Sequence, residues 1–440
     1  MQCKGLFIAA SLSVSFANAE QASSFNVPAD VAETYSCGPG CQAALIQANA
    51  VDLQLFGTGF DFDFYDTALN FSCSRPGDIL KVQHLESSLI DITPDVSVYK
   101  IQYTSRDIHG AKVPATGVII LPDEKSEDPF NLIAFAHGTS GVFRGCAPST
   151  SPNLYRGSES WSALIREGYA IVATDYAGLG NNYTTHKYVS HSAHANDLVY
   201  AVKAAQQAFP TNVSQDWVAV GHSQGGGAVW KLSEHKAVQK PSTGYLGGVS
   251  IAPAATKLHS TIKGGLDLLS SSNNTNDASM LAGMGQLIIA IKNVFPRYDP
   301  SWVGEKMKKR IELSYVGQYC VNAMSSLGAG LSVRDTLNSF DVSTDSQLKA
   351  FQDLNAPGQH SASRPLLIVH GIADMIAPVP GTMETFQDAC MRLNPVHLSL
   401  YPGFDHDSII AGASTEYLTF IRQRFAKGDF RNGCSQSIVQ

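Results

Sequence analysis

From about residue 96 onward, short apolar runs alternate with longer stretches of helical spacing. Residues 96–103 alternate apolar and polar positions with period two, which predicts a half-exposed strand. A second run, 116–121, stops at Pro122. The runs at 132–136, 170–173, 217–220, 249–252 and 366–369 are apolar throughout except for Ser250, as expected of central parallel strands covered on both faces. Helical stretches lie between them, at 160–167 and 193–209 among others. This alternation predicts an α/β fold: a mostly parallel sheet flanked by helices. The polar residues gather where the runs end, at His137-Gly138, Asp175, Gly221-His222-Ser223 and His370 through Asp374. Open α/β sheets bind ligands outside the carboxyl ends of their strands, so the candidate chemistry falls where such a fold uses it.

Two regions break the pattern. Residues 20–75 lack strand patterning and hold Cys37, Cys41 and Cys73; Cys37-Gly-Pro-Gly-Cys41 reads as a stapled turn. No second ligand pair at a zinc-like spacing follows, so no metal is expected. Residues 256–350 contain a Ser/Asn-rich loop at 270–276, then two helical stretches at 280–295 and 303–319 joined through Pro296 and Pro300. The apolar group at 287–291 reads most simply as core packing, and as an insertion between sheet strands it reads equally as a cap or lid over the site.

Residues 1–19 read as a signal peptide: Lys4, an apolar run from Leu6 to about Phe16, and the small-x-small site Ala17-Asn18-Ala19. The run is too short to span a bilayer, and no later stretch approaches the length required. The remaining 20–440 read as one α/β domain of an extracellular protein. Secretion makes disulfides expected for the seven cysteines left after Cys3 is removed, and the odd count predicts one free or intermolecular thiol. Glycosylation acceptors stand at Asn70, Asn182, Asn212 and Asn273. The composition, 44% hydrophobic and 16% charged over 440 residues, supports a large core, and the net charge of −7 gives nucleic acid no basic surface.

Gly221-His222-Ser223-Gln224-Gly225 matches G-x-S-x-G directly after the 217–220 strand and before a helical segment at 228–236. That strand–turn–helix context is what a nucleophile elbow requires. The turn is sharp, so its neighbours must be small, and the following helix N-terminus offers positive charge to an oxyanion. A serine needs a base. In this fold the order is Ser, acid, His, which leaves His235, His259, His360, His370, His397 and His406. His406 stands in the loop after the 396–401 strand and is the expected base; His397, inside that strand, reads as structural. Asp374 ends a strand 32 residues before His406 and is the expected acid. Asp405 and Asp407 are too close to His406 in the chain to reach its Nδ1, and Asp175 breaks the chain order. The expected oxyanion donors are the Gln224 amide and a donor from His137-Gly138-Thr139, with Thr139 first and Gly138 next.

The chain resembles the fungal secretory lipase family, which includes lipases of the lipase A type. The likeness rests on Gly-His-Ser-Gln-Gly-Gly at the elbow, on Gly145-Cys146-Ala147-Pro148-Ser149, and on His-Gly-Ile-Ala-Asp374 followed by His406. It implies the α/β-hydrolase fold, a helical lid between elbow and acid, and disulfides Cys146–Cys320 and Cys390–Cys434. It leaves Cys37, Cys41 and Cys73 unassigned. It also implies ester hydrolysis through an acyl-enzyme, without cofactor or metal, on a small-molecule or lipid ester, by a monomer in at most transient contact with a lipid interface. The family also contains secreted deacetylases of secondary metabolites, the trichothecene C-3 esterase type. A serine peptidase and a non-catalytic binding domain are the remaining alternatives.

Overall fold

The computed structural model describes residues 21–86, 96–123, 126–154, 161–263, 283–428, 430 and 433–439. The signal-peptide segment and Asn273 lie outside them. Ten strands form one sheet: β1 (Ile79–Leu85), β2 (Val96–Arg106), β3 (Lys112–Pro122), β4 (Phe130–Ala136), β5 (Ala170–Thr174), β6 (Val213–His222), β7 (Tyr245–Ile251), β8 (Leu366–Gly371), β9 (Val396–Tyr401) and β10 (Ser435–Ile438). Their spatial order is β1-β2-β3-β5-β4-β6-β7-β8-β9-β10. The pairs joining β1, β2, β3 and β5 are antiparallel, and every pair from β5 to β10 is parallel.

The apolar runs account for this arrangement. The side chains of β4, β5, β6, β7 and β8 divide between two buried clusters, one on each face. The helices His191–Ala208, Gln224–Ser233 and Val379–Met391 cover one face, and Ser162–Arg166 and Ser414–Phe425 cover the other. From β4 the chain passes to β5 on one side and then to β6 on the other. The carboxyl ends of β4 and β6 therefore flank a crevice, the position that open α/β sheets use for ligands. Ala136 pairs with Gly221, so the two ends are level.

β2 departs from the half-exposed expectation: Lys100 through Ser105 are all buried. The side chains of Lys100, Gln102 and Thr104 are satisfied instead by the segment ahead of the sheet, and Ser105 donates to Asp197 in the helix His191–Ala208. Lys100 Nζ lies 3.4 Å from the Asp61 carboxylate, and Gln102 accepts from the Ala68 N–H at 2.9 Å and donates to the Asp66 carbonyl at 3.0 Å. Thr104 and Ser74 share a hydroxyl bond of 2.6 Å. Alternating polarity here marks paired buried groups, not a wet face.

The helices of the 256–350 region form a third buried cluster, and the amino-terminal segment belongs to it. Met284–Val294 and Glu305–Gly317 are the two expected helices. Pro39–Phe56 joins the same cluster through Cys41, Leu45 and Phe56, and packs against Val321–Ser325 and the turn that follows it. The buried Asp52 carboxylate accepts from the Asn322 and Ala323 N–H groups at 3.1 and 3.0 Å, and Arg310 donates to the carbonyls of Ser36, Leu327 and Ala329. Residues 20–75 and the insertion thus stabilise each other.

Disulfides join Cys37–Cys41, Cys146–Cys320 and Cys390–Cys434, the last two as the family resemblance implies. Among the described residues no cysteine is free; Cys73 is also bonded, to a partner outside them. These three pairs take six of the seven cysteines that follow the signal-peptide segment, and Cys73 is the seventh. No helix among the described residues is long and apolar enough to cross a membrane.

Chain entropy ranks these bridges. Cys146–Cys320 spans 174 positions and Cys37–Cys41 only 4. Loop closure gives stabilisations of about 5 and about 2 kcal/mol respectively. Denaturant melts of Cys146→Ser/Cys320→Ser and Cys37→Ser/Cys41→Ser are expected to show the larger loss in the first double variant.

Candidate active site

The elbow is built by backbone crowding. Ser223 has φ 58° and ψ −118°, a left-handed strand-to-helix turn that few non-glycine residues adopt. Three hydrogen bonds hold it: Ser223 N–H donates to Ile251 at 2.9 Å, and the Ser223 carbonyl accepts from Gly227 at 3.1 Å and Ala254 at 3.0 Å. A Cβ on Gly225 would collide with the Ala136 carbonyl, and one on Gly221 with the Gly225 carbonyl. The helix starts at Gln224, four residues earlier than its apolar spacing suggested, because these glycines permit it to begin directly on the strand.

His406 and Asp374 arrive from the ends of β9 and β8. His406 Nε2 lies 2.8 Å from Ser223 Oγ, and His406 Nδ1 lies 2.7 Å from Asp374 Oδ2. The three are 7%, 6% and 3% exposed, in the order Ser223, His406, Asp374. Asp374 Oδ1 accepts from the Ile376 and Ala377 N–H groups, each at 2.8 Å, while Oδ2 also faces His370 Nε2 at 3.2 Å. Burial alone would raise the Asp374 carboxyl, but the hydrogen bonds from His370, His406 and the backbone outweigh it and hold it well below the usual carboxylate range. Asp374 therefore stays ionised, and with its carboxylate on Nδ1–H, His406 presents Nε2 as acceptor to the serine hydroxyl.

The other candidates are engaged elsewhere. Asp175 accepts from Ser149 and Thr116. Asp405 caps Ser408 at the surface. His397 sits between β9 and β10, against the hydroxyls of Ser435 and Ser437 at 2.7 and 3.2 Å, so the structural role expected of it fits. His235 accepts from Ala237 N–H, and the backbone of His360 donates to Glu234.

Gln224 supplies the first N–H of its helix, which has no partner within the helix. Of the loop candidates, Gly138 stands beside the nucleophile: a Cβ on it would lie 3.5 Å from the Ser223 Cβ. The Thr139 hydroxyl lies 3.0 Å from the Tyr188 hydroxyl. Beneath the elbow, the Gln224 side chain donates to His194 Nε2 at 3.0 Å and His186 Nε2 at 3.4 Å. Burial pushes these imidazoles down, His186 to about 3 and neighbouring His137 and His191 each to about 4, so they are neutral acceptors at ordinary pH. Gln224 is thus anchored from below by uncharged groups. Sequence reasoning assigned no part to His186 and His194, because nothing in their spacing marks them as supports. Among the described residues no group of three or more potential ligands is arranged to hold a metal.

The sheet, the elbow and the hydrogen-bonded Ser223, His406 and Asp374 define an α/β hydrolase. The family described as secretory lipase matches residues 158–433, and the chain belongs to that family, which makes it a carboxylic ester hydrolase. Among its relatives, Lipase 9 of Candida albicans is 21% identical over 400 residues, covering 85% of this chain and 84% of that one. Lipase 5 of the same yeast is 23% identical over 355 residues, covering 74% and 72%. Two solved structures share the fold. Lipase A of Candida antarctica superposes with a TM-score of 0.65 at 15% identity, covering 86% of this chain and 89% of that one. The rice cell wall degrading esterase LipA from Xanthomonas oryzae gives 0.63 at 20% identity, covering 81% and 100%.

Crowding at the elbow predicts a sharp positional contrast. Gly225→Ala is expected to lower the melting temperature markedly and to abolish fluorophosphonate labelling, since its methyl meets backbone rather than a flexible side chain. Gly40→Ala, exposed with nothing within 4 Å of its Cβ position, is expected to melt at or above wild type, as alanine favours helices by about 1 kcal/mol.

Proposed function

We propose that this chain is a secreted serine esterase that works through an acyl-enzyme. Ser223 is the nucleophile, His406 the base and Asp374 the residue that orients the base. The carrying observation is the unbroken line from Ser223 Oγ through His406 to Asp374, at 2.8 and 2.7 Å. His406 Nε2 takes the hydroxyl proton as Oγ bonds to the ester carbonyl carbon. It then gives that proton to the departing alcohol. Water follows the same path: its proton goes to His406, its oxygen bonds to the acyl carbon, and the Oγ–carbon bond breaks as Oγ regains a proton. The Gln224 amide and the Thr139 or Gly138 amide hold the oxyanion, each donor supplying about 10²–10³ in turnover. Asp374 stabilises the imidazolium throughout.

We read the helices between β7 and β8 as a cap over the site. Cys320 is bonded to Cys146 in the loop after β4, Val321 N–H donates to the Ser140 carbonyl at 3.0 Å, and Asn293 donates to the His186 carbonyl at 2.8 Å. The insertion is therefore fastened beside the proposed oxyanion loop, where it can bound the acyl and alcohol sites. Export of the chain is supported by the three disulfides and by family membership. Asn70, Asn182 and Asn212 are exposed and open to glycosylation. A secreted product beginning after Ala19, with glycosidase-sensitive mass, is the expected result on expression in a eukaryotic host.

Ser223→Ala is expected to reduce hydrolysis of p-nitrophenyl esters to background while melting like wild type. Asp374→Asn should lower kcat by about 10⁴. Ordinary turnover by Ser223→Ala would remove the proposal. A panel of acetate, octanoate and palmitate esters with an acetylated trichothecene defines the acyl and alcohol preference, and aminoacyl p-nitroanilides are expected to remain uncleaved.

A further inference from the structure

His222 occupies the variable position of the elbow motif, and it touches the other half of the site. Its Nε2–H donates to the backbone carbonyl of His406 at 2.8 Å, and its ring lies against the His406 ring, centroid to centroid 4.7 Å. The same ring backs onto the loop after β4, where a Cβ on Gly138 would stand 3.5 Å from His222 Nδ1. One side chain thus touches the strand that carries the nucleophile, the loop that carries the base and the loop expected to bind the oxyanion. We propose that His222 is a positioning residue that latches the His406 loop to the elbow and holds the imidazole in place while the serine is acylated.

The need for such a latch follows from the two halves of the reaction, and it rests on the triad proposed above. Before acylation, the Ser223 hydroxyl is itself a tether, since it donates to His406 Nε2 at 2.8 Å. Once Oγ is esterified that proton has left with the alcohol, and Oγ can no longer donate. His406 must still face the acyl carbon to activate water. Two hydrogen bonds to His406 itself remain, from its Nδ1 to Asp374 and from His222 to its carbonyl. Asp374 lies at the far edge of the ring and permits it to swing about that contact. The His222 bond fixes the main chain from which the ring projects. Losing it therefore slows deacylation more than acylation.

The test compares His222→Phe, which keeps an aromatic ring without a donor, with His222→Gln, which keeps a donor without the ring. His222→Leu replaces Phe if that variant does not fold. Pre-steady-state release of p-nitrophenol separates the two halves of the cycle. His222→Phe is expected to lower kcat about tenfold, the rate equivalent of one net hydrogen bond, with KM falling or unchanged and a larger burst as acyl-enzyme accumulates. His222→Gln is expected to recover most of that loss. Wild-type kcat and burst in His222→Phe, beside an inactive Ser223→Ala, overturn the latch alone. So does a kcat loss that tracks lowered melting temperature and is not rescued by Gln. Ordinary turnover in Ser223→Ala overturns the triad instead.

Discussion

The site depends on one close approach: the Gly225 backbone against the carbonyl of Ala136. That contact permits a helix to begin at Gln224, two residues past the end of β6, and it turns Ser223 into a left-handed conformation that costs about 1–3 kcal/mol. The strain persists because both backbone polar groups of Ser223 are hydrogen-bonded to β7, to the following residues and to the helix. The hydroxyl is then held clear of the sheet, and the neighbouring N–H groups remain available to a ligand. Every other functional side chain is arranged relative to that fixed point.

Around it, charge and neutrality are separated. Asp374 is buried and ionised, sustained by two backbone N–H groups and two imidazoles. Below the elbow, the imidazoles that support Gln224 are buried without an acidic partner and stay neutral. Removing a partner from a buried charge costs far more than removing one from a neutral pair. The acid side of the site is accordingly the part least tolerant of change, while the underside can adapt.

Much of this was legible in the chain. The continuous apolar runs marked β4 to β8, because strands covered on both faces cannot alternate. The elbow was readable because its glycines answer a steric demand that local sequence states openly. Asp374 and His406 followed from chain order and from the length of one helix and one strand. Other features carry no local signal. β10 reads Ser-Gln-Ser-Ile, and only the neighbouring β9 and the Cys390–Cys434 bridge make it a strand. β1 is short, with mixed polarity, and depends on β2 for its register. The buried polar residues of β2 were misleading because their partners lie 30 to 92 residues away in the chain. His222 was visible inside the motif, but the carbonyl it serves is 184 positions downstream.

The strand β10 has a consequence for handling this protein. It is short, polar and pinned by the Cys390–Cys434 bridge, and it shields the outer hydrogen-bonding row of β9. β9 reads Val-His-Leu-Ser-Leu-Tyr, a segment suited to pairing with any other extended chain. Reductants would free that guard while the buried sheet remained intact. The resulting species would be folded yet adhesive, so loss of material in reducing buffers would appear as precipitation before any loss of secondary structure.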